Sequence, residues 1–177
     1  MDVQRTLTVG TPDVTALRRA FGAFATGVTV VTVGGATPHG MTANSFASVS
    51  LDPPLVLVCV DRNAVMHACL SKTREFAVSV LAEDQEKVAR YFADGRRPLG
   101  GEQFDQVDWR PGRTTGAPLI GGALAHFECE VWRTYDGGDH TIFLGRLLSL
   151  ERRAGGEALL FLSGRFRQVK RERSEAA

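Results

Sequence analysis

At 177 residues, 44% of them hydrophobic, the chain can bury one substantial core and suits a single domain. Its 21 Lys and Arg nearly balance 20 Asp and Glu. That excludes the concentrated basic surface that nucleic-acid or membrane-surface binding requires.

Met1–Pro12 shows no periodicity and reads as a flexible arm. Asp13 is placed to N-cap a helix, and Val14, Leu17, Phe21 and Phe24 follow at steps of three and four, forming one apolar face that Gly27 should end. Val28–Val33 is dense in β-branched residues and predicts a strand, with Gly34-Gly35 as its turn. His39–Ser50 is small, polar and hydroxyl-rich, with no predicted element, and ends at the Pro53-Pro54 stop. Leu55–Val60 reads as a short buried strand. It is the longest apolar stretch and too short to span a bilayer.

Further elements are expected as a helix over Asn63–Leu70, a strand over Phe76–Leu81 and an amphipathic helix over Glu83–Phe92. Asp94–Pro118 carries several Gly and Pro and is expected to be loop. Strands return at Leu124–Thr134, Thr141–Leu150 and Ala158–Leu162, the first two joined by the turn-like Tyr135–His140. Six or seven strands with a few short helices imply a mainly β fold, a barrel with α decoration, because helices and strands do not alternate. The expected organisation is an arm over 1–12, one domain over 13–167 and a charged, solvated tail over 168–177.

The three cysteines, Cys59, Cys69 and Cys129, form no CxxC pair and leave one unmatched, which points to a reduced, cytoplasmic setting. No secretory signal is visible at the amino terminus. There is no GxGxxG after a strand and no GxSxG. Gly22–Gly27 has the glycine spacing of a phosphate loop, but Val28 stands where lysine is required. The four histidines are dispersed without a short ligand pair, so no metal site is expected.

The informative stretch is Gly40–Pro54, which offers Thr42, Asn44, Ser45, Ser48 and Ser50 with small residues between them. Hydroxyls and free amides can bind phosphate oxygens, and Ala43 and Ala47 allow a ligand close to the chain. The Asn44 amide can both donate and accept, as a pyrimidine edge requires. The same composition also fits an ordinary Ser/Thr-rich turn.

Ala25–Val33, Gly40–Pro54 and Leu55–Val60 together resemble the flavin reductase family with an FMN-binding split barrel. More narrowly, the chain is similar to the small reductase components of two-component flavin-dependent monooxygenases. Gly138-Asp139-His140 followed by Ile142–Gly145 matches a second signature of that family, and Gly164-Arg165-Phe166 a weaker third. The resemblance implies a Greek-key-like split β-barrel flanked by short helices. It implies an NAD(P)H-dependent reduction of FAD, with FMN possible, and NADH favoured over NADPH. It further implies a homodimer and a separate monooxygenase that receives the reduced flavin.

Carried over residue by residue, the resemblance places Thr42, Ala43, Asn44 and Ser45 along the isoalloxazine ring, largely through backbone groups. Ser48, Val49 and Ser50 follow the ribityl chain and phosphate. Cys59, Asp61, Asn63 and Ala64 complete the cradle, and Phe92 packs near the flavin. His140, with Asp139, lies beside the nicotinamide, and Arg165 and Phe166 help hold the donor. Local sequence leaves other roles open. His140 could cap a hairpin, Asp139 could fix its turn, Phe92 and Cys59 could be core residues, and Arg62 and Lys72 could neutralise phosphate charge, with solvation the default for each. Two rival readings are a flavin-binding electron carrier and a flavin oxidase of the pyridoxamine-phosphate type. An oligonucleotide-binding barrel is disfavoured by the near-neutral charge and the presence of only two tryptophans and two tyrosines.

Overall fold

The computed structural model describes residues 13–169. The expectations for the arm at 1–12 and for the end of the tail, 170–177, lie outside the described residues.

The frame is one seven-stranded antiparallel sheet. It is built from β2 (Thr29–Val33), β3 (His39–Ala43), β4 (Ala47–Leu51), β5 (Pro54–Asp61), β6 (Glu75–Val80), β9 (Ala125–Gly137) and β10 (His140–Arg152). Their order is β3-β2-β6-β9-β10-β5-β4. A short β1 (Thr26–Gly27) forms a second sheet with β11 (Leu160–Leu162) and β12 (Arg165–Arg167). A third, two-stranded sheet pairs β7 (Trp109–Pro111) with β8 (Pro118–Ile120). Three helices flank the sheets: α1 (Val14–Phe21), α2 (Val65–Lys72) and α3 (Glu86–Ala93). The two edges of the large sheet, β3 and β4, are consecutive in the chain, yet no ladder joins them among the described residues.

Strand β2 reads as a continuous hydrophobic run because it is buried on both faces. Val31 and Val33 enter a core with Phe76 from the adjacent β6, Val58, Val60 and Phe143 from the more distant β5 and β10, and Met66 and Leu70 from α2. Val30, with Val28 just before the strand, packs on the other side against Ala89 and Phe92 of α3 and against Phe104. The two threonines within this run are satisfied locally. Thr29 donates to the Ala43 carbonyl at 2.8 Å and Thr32 to the Pro118 carbonyl at 2.6 Å.

Three elements differ from the sequence expectation. Helix α1 stops at Phe21 rather than near Gly27, because Gly22 takes the C-cap and its N–H closes on the Arg18 carbonyl at 2.9 Å. The Asp13 cap is as expected, accepting from the amides of Thr15 and Ala16. His39–Ser50, which carried no predicted element, supplies the two edge strands β3 and β4. Small polar residues are tolerated there because an edge strand is only partly covered. The expected loop at 94–118 contains a 3-10 turn (Gly100–Phe104), strand β7 and the start of β8.

Candidate active site

Thr42 and Asn44, at the end of β3, line a cavity of about 140 Å³ with Val28, Ala93, Phe161 and Phe166. The β11–β12 hairpin delivers both aromatic rings, which meet edge to face with centroids 5.3 Å apart. Thr42 is held by donating to the Ala89 carbonyl at 2.7 Å, so α3 fixes the β3 end of the cavity. Asn44 is exposed and its side-chain amide has no protein partner among the described residues. Thr26, opposite Phe161 in the ladder, has a buried hydroxyl that likewise finds no partner.

From Asn44 the chain turns toward β5. The Ser45 hydroxyl donates to the Cys59 carbonyl at 2.8 Å and accepts from the Cys59 amide at 3.0 Å. Ala47 and Leu57 are already a ladder pair, so Ser45 stands where the next pair would fall. Its side chain replaces the backbone ladder while the main chain turns away. Beyond it, Ala43 is buried, and Ser48 and Val49 on β4 are exposed. Ser48 pairs with Val56 and Ser50 with Leu55, so Val49 is the extra residue of a bulge. The outer side of β4 has no strand neighbour, which leaves its edge backbone groups unpaired by any ladder.

Cys59, Leu57 and Asp61 alternate with the core residues Val56, Val58 and Val60, and so share the opposite face of β5. Burial pushes the Cys59 thiol up from its ordinary value, which makes it a poor nucleophile. Asp61 accepts from the Asn63 amide at 2.7 Å, and its carbonyl accepts from the Ala64 amide at 3.0 Å. This turn delivers the chain into α2 with Ala64 at the N-cap, a residue that offers the first turn no side-chain acceptor.

His140 opens β10 directly opposite Asp61, and Ile142 lies opposite Cys59. The register therefore brings His140 to the same strip as the Asp61–Ala64 turn. Its Nδ1 lies 2.7 Å from Asp139 Oδ1. That bond, followed by the charge of His140, holds the Asp139 carboxyl below its usual range. With Nδ1 directed to Asp139, Nε2 is the ring nitrogen left for another partner. The connecting turn is the two-residue Gly138-Asp139, with Gly138 at φ +79°, where a side chain would be strained.

The turn itself is fixed by Asp136, which accepts from the Gly138 amide at 2.9 Å. Asp139 is thus free to orient His140. Arg62 then straps the turn down. Its Nε donates to the Gly138 carbonyl at 2.9 Å, its amide to the Asp139 carbonyl at 3.0 Å, and a guanidinium nitrogen reaches Asp136 at 3.0 Å. Arg62, which the sequence leaves as either phosphate-facing or solvated, is exposed and braces the turn that precedes His140.

Of the residues predicted from sequence, Thr42, Asn44 and Phe166 share the cavity, while Ser45, Cys59, Asp61 and His140 are linked through the β5–β10 register. Phe92 has no exposed surface and packs among Val30, Ala89 and Phe104. It also fills the space beside Gly40, where a Cβ would come within 2.7 Å of its ring. In this arrangement Phe92 cannot touch a ligand, and Ala93 is the α3 residue that faces the cavity. Phe166 lines that cavity, whereas Arg165 is exposed beside it on β12. Val28, Ala93 and Phe161 were not singled out, because apolar residues in strands and helices carry no chemical signal in sequence. A larger recess of about 460 Å³, with His67, Arg74, Trp132 and Arg133, sits on the sheet face of Thr141 and Phe143 and holds none of the predicted residues.

An aromatic-walled cavity, an open hydroxyl-bearing strand edge and an imidazole bonded to a carboxylate thus lie along one strip of the molecule. The flavin reductase like domain matches residues 21–170, and the chain belongs to that family. It is 60% identical over 159 residues to an NADH-dependent FAD reductase of Streptomyces globisporus, covering 90% of this chain and 87% of the relative. A solved structure of an NADH:FAD oxidoreductase from that organism, in complex with NAD and FAD fragments, superposes with a TM-score of 0.86 at 55% identity. The match covers 97% of this chain and all of that one, at 100%. The reductase subunit HsaB of a flavin-dependent monooxygenase from Rhodococcus jostii is 35% identical over 90% of this chain and 80% of its own length.

Proposed function

We propose that this chain oxidises NADH and reduces free FAD, handing the reduced flavin to a separate monooxygenase. The observation that carries this reading is the single strip from Thr42 and Asn44 through Ser45 and Asp61 to His140, set beside a cavity walled by Phe161 and Phe166. The residues present suit such ligands. Asn44 offers an exposed, unpartnered amide, Ser48 and Ser50 offer hydroxyls on an open edge, and the first turn of α2 lacks a side-chain cap. When bound, the nicotinamide supplies the hydride and the isoalloxazine accepts it.

The chain's own contribution is positioning. Asn44 and the backbone of Ala43 to Ser45 hold the ring edge. The β4 edge with Ser48 to Ser50, together with the Asp61–Ala64 turn, receives the ribityl chain and first phosphate. His140, held by Asp139 and Arg62, presents Nε2 to accept from the donor's carboxamide N–H. Orienting two planar rings at contact distance removes much of the entropic barrier, and no general base is needed. The exposed edge lets flavin enter and leave, as a product passed onward must. FMN and NADPH are the weaker alternatives within the same site. Three free thiols suit a reducing cytoplasm, the setting proposed here, and no described helix is long and apolar enough to cross a membrane. The domain over 13–167 acts as one unit.

A homodimer completes the reading. Val14, Phe21 and Phe24 are 55%, 72% and 77% exposed, and α1 buries none of its residues. Sedimentation at twice the chain mass checks the dimer, and a mass of one chain overturns it.

The decisive experiment follows the loss of dihydronicotinamide absorbance with riboflavin, FMN or FAD added. Flavin-dependent turnover, fastest with NADH and FAD, is expected, and no turnover with any flavin overturns the reading. A His140→Ala variant should raise the KM for NADH about tenfold and leave flavin affinity within about twofold. An unchanged donor KM would remove His140 from the donor site.

A further inference from the structure

The β9–β10 hairpin runs past α2, and the recess of about 460 Å³ lies between them. His67, Leu70 and Ser71 reach it from α2, because steps of three and four from His67 share one helical face. Arg74 reaches it from just past the end of that helix. On the sheet side, Thr141 and Phe143 alternate to one face of β10. Trp132 has no ladder partner, since Arg133 pairs with Leu144 and Val131 with Gly145. It is therefore the extra residue of a bulge, 37% exposed at the recess wall.

The charge of this lining is one-sided. No Asp or Glu lines the recess, whereas Arg74 and Arg133 both do. Neither arginine has a carboxylate partner among the described residues. On the same hairpin, Asp136 and Glu130 are already paired with Arg62 and Arg146. Arg133 lies over the Trp132 ring, 4.5 Å from its centroid, which orders the guanidinium without neutralising it. Arg74 reaches only the Val131 carbonyl, at 3.5 Å, so most of its donors are free. The last carbonyls of α2 would oppose an anion. Ser71 and Thr73 cover two of them, donating to the carbonyls of His67 and Cys69 at 2.8 and 3.1 Å. With Leu70, Trp132 and Phe143 as apolar wall, the recess suits a flat apolar body carrying one anionic group. A guanidinium fork matches a carboxylate with two parallel bonds.

The recess also touches the element that carries His140. Thr141 lines it and directly follows His140 on β10. The Thr141 hydroxyl and His67 Nε2 lie 2.9 Å apart, so α2 holds the strand one residue from His140. His67 in turn meets Phe143 edge to face, with centroids 5.5 Å apart.

We propose that this recess is an effector site for a small aromatic carboxylate, whose binding raises the affinity for the donor through the His67–Thr141 contact. The carboxylate is held by Arg74 and Arg133, and the ring lies on the Leu70 and Phe143 wall. An occupied recess ties α2 to β10 and steadies the strand that presents His140. Binding stands on the recess alone, and its effect on the donor rests on the flavin-reductase reading.

Benzoate is the probe, with Trp132 as a reporter in the wall. Benzoate should quench tryptophan emission and give a calorimetric Kd of about 0.1–1 mM, as suits a ligand of so few atoms. Uncharged benzamide and ringless acetate should each bind at least about tenfold more weakly. An Arg74→Gln, Arg133→Gln double variant should lose benzoate affinity by about tenfold and keep its basal turnover. Saturating benzoate should lower the wild-type KM for NADH about threefold with kcat unchanged, and leave the double variant unmoved. Thr141→Val should still bind benzoate and lose the KM response. No benzoate binding by wild type, equal binding by the double variant, or equal binding of acetate overturns the site. Benzoate binding with an unchanged KM overturns the effector role. A chain that binds benzoate but reduces no flavin overturns the reductase reading and leaves the recess site standing.

Discussion

The two edges of the large sheet follow one another in the chain and are treated in opposite ways. At β3 the protein seals its own edge. Gln103 has no exposed surface, accepts from the Gly40 amide at 2.8 Å and donates to the carbonyls of Pro38 and Gly100 at 3.0 and 2.8 Å. Arg97 adds a bond to the Gly40 carbonyl. At β4 nothing comparable arrives among the described residues, and the exposed Ser48 and bulged Val49 leave the strand open. Unpaired edge groups must find partners somewhere. On β3 they are side chains from the loop after α3, and on β4 they are solvent or ligand. The difference separates an edge the protein completes itself from one it leaves open, within fifteen residues of near-uniform composition.

The largest effect should come from unsealing β3. Gln103→Leu leaves a buried amide and two carbonyls without partners and should lower unfolding free energy by about 4 kcal/mol. Urea denaturation measures this, and a loss under about 1 kcal/mol would mean that the loop does not seal the edge. A second probe of the same edge is pH. Burial, and then the nearby Arg97, pull the His39 pKa down to about 4. The unfolded chain takes up its proton near pH 6.5, while the folded chain resists until about pH 4. Stability is therefore intact above that window and falls as pH drops through it, by about 1.4 kcal/mol per unit. His39→Asn should flatten this part of the profile, and an unchanged slope would assign the acid loss to another group.

How much of this was legible in the sequence follows from what each residue type can signal. The β-branched run of β2 and the apolar β5 announce themselves, because burial on a sheet demands those side chains. The hydroxyl-rich segment and the histidine turn were also readable as site material. Its division into two edge strands was not, since small polar residues carry little β signal and the pairing of β4 with β5 is a tertiary fact. Phe92 illustrates the reverse error. Its neighbours in the chain fit a ligand wall, but the helix turns it inward against Gly40 and Phe104, and a half-turn of α3 decides between core and cavity. Arg62 was readable only as a surface charge, because its partners Asp136 and Gly138 lie over seventy residues away.

The smallest effect, and the one that sharpens the contrast most, belongs to the open edge. Ser48 and Ser50 have no hydroxyl partners among the described residues, so their removal leaves nothing buried and unpaired. A Ser48→Ala, Ser50→Ala double variant should therefore unfold within about 0.5 kcal/mol of wild type. If the edge receives the first flavin phosphate, each lost hydroxyl removes one hydrogen bond to a charged oxygen. The KM for FMN and FAD should then rise about fivefold together, while riboflavin, which has no phosphate, stays unchanged. Loss of stability without a change in flavin KM would make β4 a second structural edge and move the phosphate elsewhere. A rise for FAD alone would place the two serines under the ADP moiety rather than the first phosphate. The predicted pattern, affinity without stability at β4 and stability without affinity at β3, follows from a single physical difference: whether the protein supplies the partners of its own edge.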